Sequence, residues 1–375
     1  MAGIYIHIPF CKSRCVYCDF YSTTRGTLKT SYVQALCHEL AMRKDYLDQP
    51  VETLYFGGGT PSLLAEADWR QIFTTLQAEY GLEHCQEITL EANPDDLTPT
   101  YLEMLTRFPF NRISIGIQTF DDATLRVLNR RHDARTAIDA VRRCEEAGFR
   151  HISIDLMYGL PGETEERWAA DLRQAIDLRV EHISAYHLIY EEGTPLYRLL
   201  QQHRVEEVGE DSSLRFFTML IDTLHAAGYE HYEISNFCLP GRYSRHNTSY
   251  WQGIPYLGCG TAAHSFNGSS REWNVSDIDL YIKGIETGER VFETETLNPT
   301  IRYNEFIITT MRTRWGTPLA KLKEDFGEGR LEYCLRMAEP YVQAGKLEER
   351  DGALCLTRAG IFVSDSIMSD LLWVD

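Results

Sequence analysis

The sequence predicts an α/β protein: a parallel sheet wrapped by helices, followed by a smaller, mainly helical C-terminal unit. Three observations predict it. Six short β-rich runs alternate with amphipathic segments long enough to serve as crossover helices. The helical segments carry end signals, Asp133 and Thr164 as N-caps and Gly148 just past a C-terminus. Beyond residue 290 the pattern turns helical and closes on two short β runs, 346–350 and 353–356, joined by Asp351-Gly352, a hairpin signal.

In chain order the strands are read at 3–8, 51–56, 87–92, 112–117, 151–157 and 182–188. Helices are read at 31–46, 66–80, 98–108, 134–147 and 165–177, with one more at 210–227. Six units are too few for an eight-stranded barrel. A partly open (β/α)6 barrel fits the count, and periodicity alone leaves a doubly wound sheet as the alternative. Residues 231–275 are rich in Gly, Asn, Ser, Tyr and His and weakly periodic, and 231–290 is read as an extension of the barrel. Helices followed by a hairpin make 291–375 winged-helix-like. The expected division is therefore 1–230, 231–290 and 291–375.

The chain has 375 residues, 43% hydrophobic and 25% charged, ordinary values for a globular protein. No run approaches the ~20 apolar residues of a membrane span. The first strand begins almost at once, which leaves no room for a signal peptide, so the expectation is a cytoplasmic protein. The net charge of −18 argues against nucleic-acid binding.

The sharpest chemical signal is Cys11, Cys15 and Cys18, spaced CxxxCxxC directly after the first strand. Three thiolates hold three irons of a cubic [4Fe–4S] cluster and leave the fourth open to another ligand, whereas ferredoxin-type sites use four cysteines. A structural zinc site wants four ligands, and neither His7 nor His38 completes such a set with this trio. An odd number of thiols also argues against disulfides. The other cysteines, at 37, 85, 144, 238, 259, 334 and 355, are scattered and read as free thiols.

Ligands of parallel α/β proteins gather beyond the C-terminal strand ends. There the sequence places Gly57-Gly58-Gly59-Thr60-Pro61-Ser62, Glu91-Ala92-Asn93-Pro94, Gly116-Ile117-Gln118-Thr119 and Asp155-Leu156-Met157-Tyr158-Gly159. The glycines allow close backbone approach to a ligand. No Lys-Ser/Thr follows them, so this is not a P-loop. Each of Glu91, Gln118 and Asp155 alone could be a loop cap. Together they suggest one polar rim suited to a ribose or an amino acid.

With these motifs the chain resembles the radical S-adenosylmethionine (SAM) superfamily over nearly its full length, within the oxygen-independent coproporphyrinogen III oxidase-like group. The resemblance implies that Cys11, Cys15 and Cys18 ligate the cluster and that the methionyl amine and carboxylate of SAM chelate its open iron. It implies that Tyr5, Gly58, Gly59, Thr60, Glu91, Gln118, Arg130 and Asp155 surround SAM and that Tyr17 lies beside the cluster. Leu128-Asn129-Arg130-Arg131-His132 resembles an LGRxH segment, with Asn129 in place of Gly.

Two branches of the group are separable. The oxidase pattern carries a further cysteine two residues after the third, where this chain has Phe20, and an N-terminal extension that is not found here. Both departures weaken oxidative decarboxylation of coproporphyrinogen III, a step of porphyrin biosynthesis, which stands as the alternative function. A radical catalyst acting on another tetrapyrrole is a third. His246-Asn247-Thr248-Ser249-Tyr250-Trp251 matches the HNxxYW motif of the haem-chaperone branch. There an imidazole would serve as axial ligand, and Tyr250 and Trp251 would cover the macrocycle. The plain reading is a histidine hydrogen-bonded in a turn, with both aromatics as core. His264, in a GxGAxS-like loop, is a second ligand candidate. The resemblance implies haem as cargo and haemoproteins, respiratory ones among them, as recipients. It leaves room for a homodimer and for transient contact with a membrane protein.

Overall fold

The computed structural model describes residues 1–374. Six strands run parallel and side by side in chain order: β1 (Ala2–Ile8), β2 (Val51–Gly58), β3 (Glu87–Ala92), β4 (Arg112–Gln118), β5 (His151–Tyr158) and β6 (His182–His187). A doubly wound sheet reverses its strand order at a switch point. This order never reverses, so the doubly wound alternative is set aside and the sheet is a partial barrel.

The strands alternate strictly. Ile4, Ile6 and Ile8, Leu54 and Phe56, Ile88 and Leu90, Ile113 and Ile115, Ile152 and Ile154 belong to one apolar core shared with the helices. The intervening residues, among them Tyr55, Thr89, Glu91, Arg112, Ser114, Ser153, Asp155 and Ser184, line a cavity. Period-two geometry thus gives the barrel an apolar outside under the helices and a polar lumen. The expected caps hold: Asp133 and Thr164 accept the amides of Thr136 and Arg167, and Gly148 follows its helix at φ +95°.

Residues 230–296 supply more strand than expected: β7 (Glu230–Glu233), β8 (Asn236–Cys238), β9 (Tyr256–Cys259), β10 (His264–Phe266), β11 (Ser270–Asn274) and β12 (Phe292–Thr296). Runs of three to five residues are too short to show a period. They widen the sheet to the order β12-β11-β10-β9-β1-β2-β3-β4-β5-β6-β8-β7. β12 pairs with β11 and so runs with the large sheet, ahead of the C-terminal unit. That unit has its own core, including Tyr303, Ile307, Leu322, Cys334 and Ile367. Its sheet is β13 (Thr317–Pro318), β14 (Leu347–Arg350) and β15 (Ala353–Leu356), in the order β13-β15-β14. Asp351 and Gly352 join the hairpin with φ +52° and +76°, both left-handed as a type I′ turn requires. The helix, strand, two helices and hairpin have the order of a winged helix. No helix among the described residues is long and apolar enough to cross a membrane.

Candidate cluster and cofactor site

The loop after β1 brings the three cysteine thiols to one end of the lumen, where all three line a cavity of about 520 Å³. Loop and barrel are stitched together. The Cys11 amide donates to Thr23 O, the Val16 amide to Leu128 O, and the Leu196 amide to Val16 O. Lys12 reaches Asp96 at 2.7 Å, and Arg131 pairs with Asp95 and Asp96. Asn129 donates to Arg14 O at 2.8 Å from a left-handed backbone, φ +59°. Asn is among the few non-glycine residues that adopt this conformation readily, which explains how it replaces the glycine of the LGRxH pattern.

A hydrogen-bonded relay joins two of the thiols across three strand ends. Arg130 Nη1 donates to Cys15 Sγ at 3.4 Å and Nη2 to Asn93 Oδ1 at 2.7 Å. Asn93 Nδ2 donates to Thr60 Oγ1 at 3.2 Å, which donates to Cys11 Sγ at 3.5 Å. Arg130 also donates to Gly116 O. Cys11 and Cys15 therefore face donors, the surroundings that stabilise thiolate sulfur, whereas burial pushes the Cys18 thiol up to about 11.

Glu91 lies beside this relay. Tyr55 Oη donates to its Oε1 at 2.7 Å and the Gly58 amide to its Oε2 at 3.2 Å. Burial pushes the Glu91 carboxyl up to about 7. Ser114 donates to Asp155 at 3.2 Å, and burial pushes that carboxyl up to about 6. Gly58 sits at φ +104°, and a Cβ there would meet the His7 ring at 2.5 Å; one on Gly59 would meet the Pro9 backbone at 2.7 Å. Side chains are thus excluded where the second strand passes under the thiols. Gly58, Gly59, Thr60, Glu91, Gln118, Arg130, Asp155 and Tyr17 all line the cavity. Tyr5 does not: it packs against Tyr55, and its hydroxyl is spent on His7 Nδ1 at 3.1 Å.

The HNxxYW segment is elsewhere. It forms the helix Arg245–Trp251, seated against β1 and β2 at the opposite, N-terminal end of the strands. Glu87 accepts the amides of Arg245 and His246. The His246 ring is 0% exposed and stacks on Tyr55 with centroids 5.1 Å apart. Its Nδ1 pairs with Thr53 Oγ1 at 2.9 Å and its Nε2 with Tyr250 Oη at 2.8 Å. In this conformation His246 has no nitrogen free for iron, and neither it, Tyr250 nor Trp251 lines the cavity. The plain reading of a hydrogen-bonded core histidine describes its geometry, because the helix closes the barrel base and drives the imidazole inward. His264, by contrast, is exposed on β10 and stacks on Trp273.

Residues 5–175 match the model of the radical SAM superfamily, and residues 297–363 that of the HemN C-terminal domain. The heme chaperone HemW of Mycobacterium tuberculosis is 33% identical over 99% of this chain and 94% of its own. That of Lactococcus lactis is 34% identical over 86% and 84%. The chain belongs to the HemW family of radical SAM proteins. The solved structure of Escherichia coli coproporphyrinogen III oxidase, a radical SAM enzyme, is similar in fold with a TM-score of 0.85, covering 99% of this chain and 89% of that one at 21% identity.

The residues present fit the groups that a radical SAM protein carries. Cys11, Cys15 and Cys18 would hold the [4Fe–4S] cluster; the trio does not close on one ion, and a cubane takes each thiolate on a different iron. Arg130 Nε is buried without a partner, an orphan that a bound ligand would satisfy. Glu91, Gln118 and Asp155 offer acceptors and an amide for SAM. The cavity is also lined by residues that the strand-end motifs do not single out as ligands: Tyr55 and Asn93 at the rim, and Thr89, Arg112, Ser114 and Asn247 deeper in the lumen. Their signal is the strand alternation itself, as in Arg112-Ile113-Ser114-Ile115-Gly116.

Proposed function

We propose that this chain is a haem chaperone of the cytoplasm, one that binds haem and passes it to haemoproteins while its barrel carries a [4Fe–4S] cluster and SAM. The observation that carries this reading is the full-length similarity to proteins named heme chaperone HemW, at 33% identity over 99% of the chain. Phe20 supports it by standing where the oxidase pattern has a cysteine, and the side chain is 62% exposed at the cavity mouth.

When bound, the cluster supplies single electrons to the sulfonium of SAM. The chain's own residues do the rest. Thr60 and Arg130 donate to the sulfurs of Cys11 and Cys15, Gly58 and Gly59 let the ligand approach the backbone, and Tyr55 holds Glu91 in place. In this reading His246, Tyr250 and Trp251 touch haem only after the helix Arg245–Trp251 lifts from the barrel base. Lifting breaks the bonds to Thr53 and costs the Tyr55 stack. Since Tyr55 also holds Glu91, haem on this motif and SAM at the rim are coupled. His264 needs no such movement.

The test is haem titration of anaerobically reconstituted protein by absorbance, followed by mixing with an apo-haemoprotein. Stable binding and transfer are expected, with no protoporphyrinogen formed from coproporphyrinogen III, SAM and a reductant. Turnover of coproporphyrinogen, or a chain that binds no haem, overturns the reading. His246→Ala and His264→Ala then separate the two imidazoles, the true ligand being the one whose loss changes the haem spectrum.

A further inference from the structure

The inner end of the lumen holds a buried cation that no carboxylate contacts directly. Arg112 opens β4, is 4% exposed, and lines the cavity. Among the described residues its guanidinium makes no hydrogen bond or ion pair. The acids nearby are engaged elsewhere. Glu87 holds the amides of Arg245 and His246, and Asp155, further along the lumen, takes Ser114 and feels the Arg112 charge without touching it. Buried charges are costly unless paired, so an unpaired guanidinium facing a cavity points to an anionic ligand.

Other unspent groups share that end. Thr89, the Cα partner of Arg112 across β3 and β4, is 0% exposed, and its Oγ1 has no partner. Asn247 lines the cavity with its carboxamide unbonded, while its backbone amide donates to Ser244 Oγ. By contrast Ser153 and His182 satisfy one another at 2.7 Å, and His182 Nε2 meets Tyr232 Oη at 2.7 Å. The HNxxYW segment thus turns His246 into the core and Asn247 toward the lumen.

We propose that Arg112, Thr89 and Asn247 form a binding recess for the carboxylate of a small organic acid, seated beneath the SAM site. One guanidinium with two neutral partners suits a monoanion, and the carboxylates of Glu91 and Asp155 higher in the lumen disfavour a dianion such as phosphate. Size limits the ligand as well. A pocket for one drug-sized molecule measures roughly 300–1,000 Å³, and SAM would share this cavity of about 520 Å³. The recess does not depend on the haem reading.

The experiment is ligand-observed NMR on the full chain with propionate, its neutral isostere propionamide, and inorganic phosphate, in competition. Propionate is expected to bind about thirtyfold more tightly than propionamide, the scale set by truncating one partner of a buried charge pair. Arg112→Met is expected to bring that ratio to about one, and Asn247→Ala and Thr89→Val each to weaken propionate about tenfold. Circular dichroism checks each fold, and if Arg112→Met does not fold, the other two variants decide. Equal binding of propionate and propionamide, preference for phosphate, or propionate binding indifferent to the variants overturns the recess.

Discussion

His246→Phe tests the seat of the helix Arg245–Trp251. Phenylalanine keeps a ring against Tyr55 but removes both nitrogens, leaving the hydroxyls of Thr53 and Tyr250 without their partner. Each buried orphan costs about 1–3 kcal/mol, so the variant is expected to lose roughly 2–6 kcal/mol near neutral pH. Its acid behaviour is more diagnostic. Burial pulls the His246 imidazole down to about 3, against about 6.5 in an unfolded chain. Between those values the unfolded chain takes up a proton that the folded chain refuses. The residue's contribution is therefore full above about pH 6.5 and is lost as pH falls toward 3. From about pH 7.5 to about pH 5 the wild type loses ~2 kcal/mol through this residue, and the variant does not. Other groups titrate alike in both proteins and cancel. Urea unfolding of wild type and variant at the two pH values should show the stability gap narrowing by ~2 kcal/mol. A gap that stays constant means that His246 is not held neutral in a dry seat, and the coupling drawn from that seat fails with it.

Cys18→Ala should abolish retention of iron and sulfide after anaerobic reconstitution; unchanged iron content removes Cys18 from the cluster ligands. Tyr55→Phe takes away a hydrogen bond that holds the Glu91 pKa down. SAM affinity, read by calorimetry at neutral pH, should fall about fivefold and recover as pH rises. In the wild type, affinity should climb as pH passes up through about 7, where Glu91 ionises; a flat profile rules out Glu91 as an ionised contact. Gly58→Ala combines a left-handed φ of +104° with a Cβ 2.5 Å from the His7 ring. A loss of at least ~1–2 kcal/mol from the backbone alone, with loss of SAM binding, is expected by thermal melting and calorimetry, and a variant with wild-type values contradicts the crowding.

Much of the site was legible because its parts are local. Cys11, Cys15 and Cys18 lie within one turn of loop, and Gly58, Glu91, Gln118 and Asp155 each sit at the end of a strand whose limits the sequence marks. Asn129 was visible as a substitution, but its left-handed backbone and its bond to Arg14 were not. Tyr5 was expected at SAM and is withheld from the cavity by a hydrogen bond to His7, two residues away on its own strand. The strands of 230–296 were missed because so short a run has no period, and their pairing is decided by the barrel edges on which they lie.

The sequence by itself determined the thiol trio, the six parallel units and the polar rim, since spacing along the chain and period-two alternation are properties of the strand itself. Only the tertiary structure decided which polar residues share a lumen and which are sealed from it. Alternation separates two faces but does not say which one curves inward, nor what closes its base. Here the barrel's curvature gathers Thr89, Arg112 and Asp155 from three strands into one cavity. The helix Arg245–Trp251, more than 120 residues further along the chain than Arg112, closes that cavity by burying His246 and leaving Asn247 to face it.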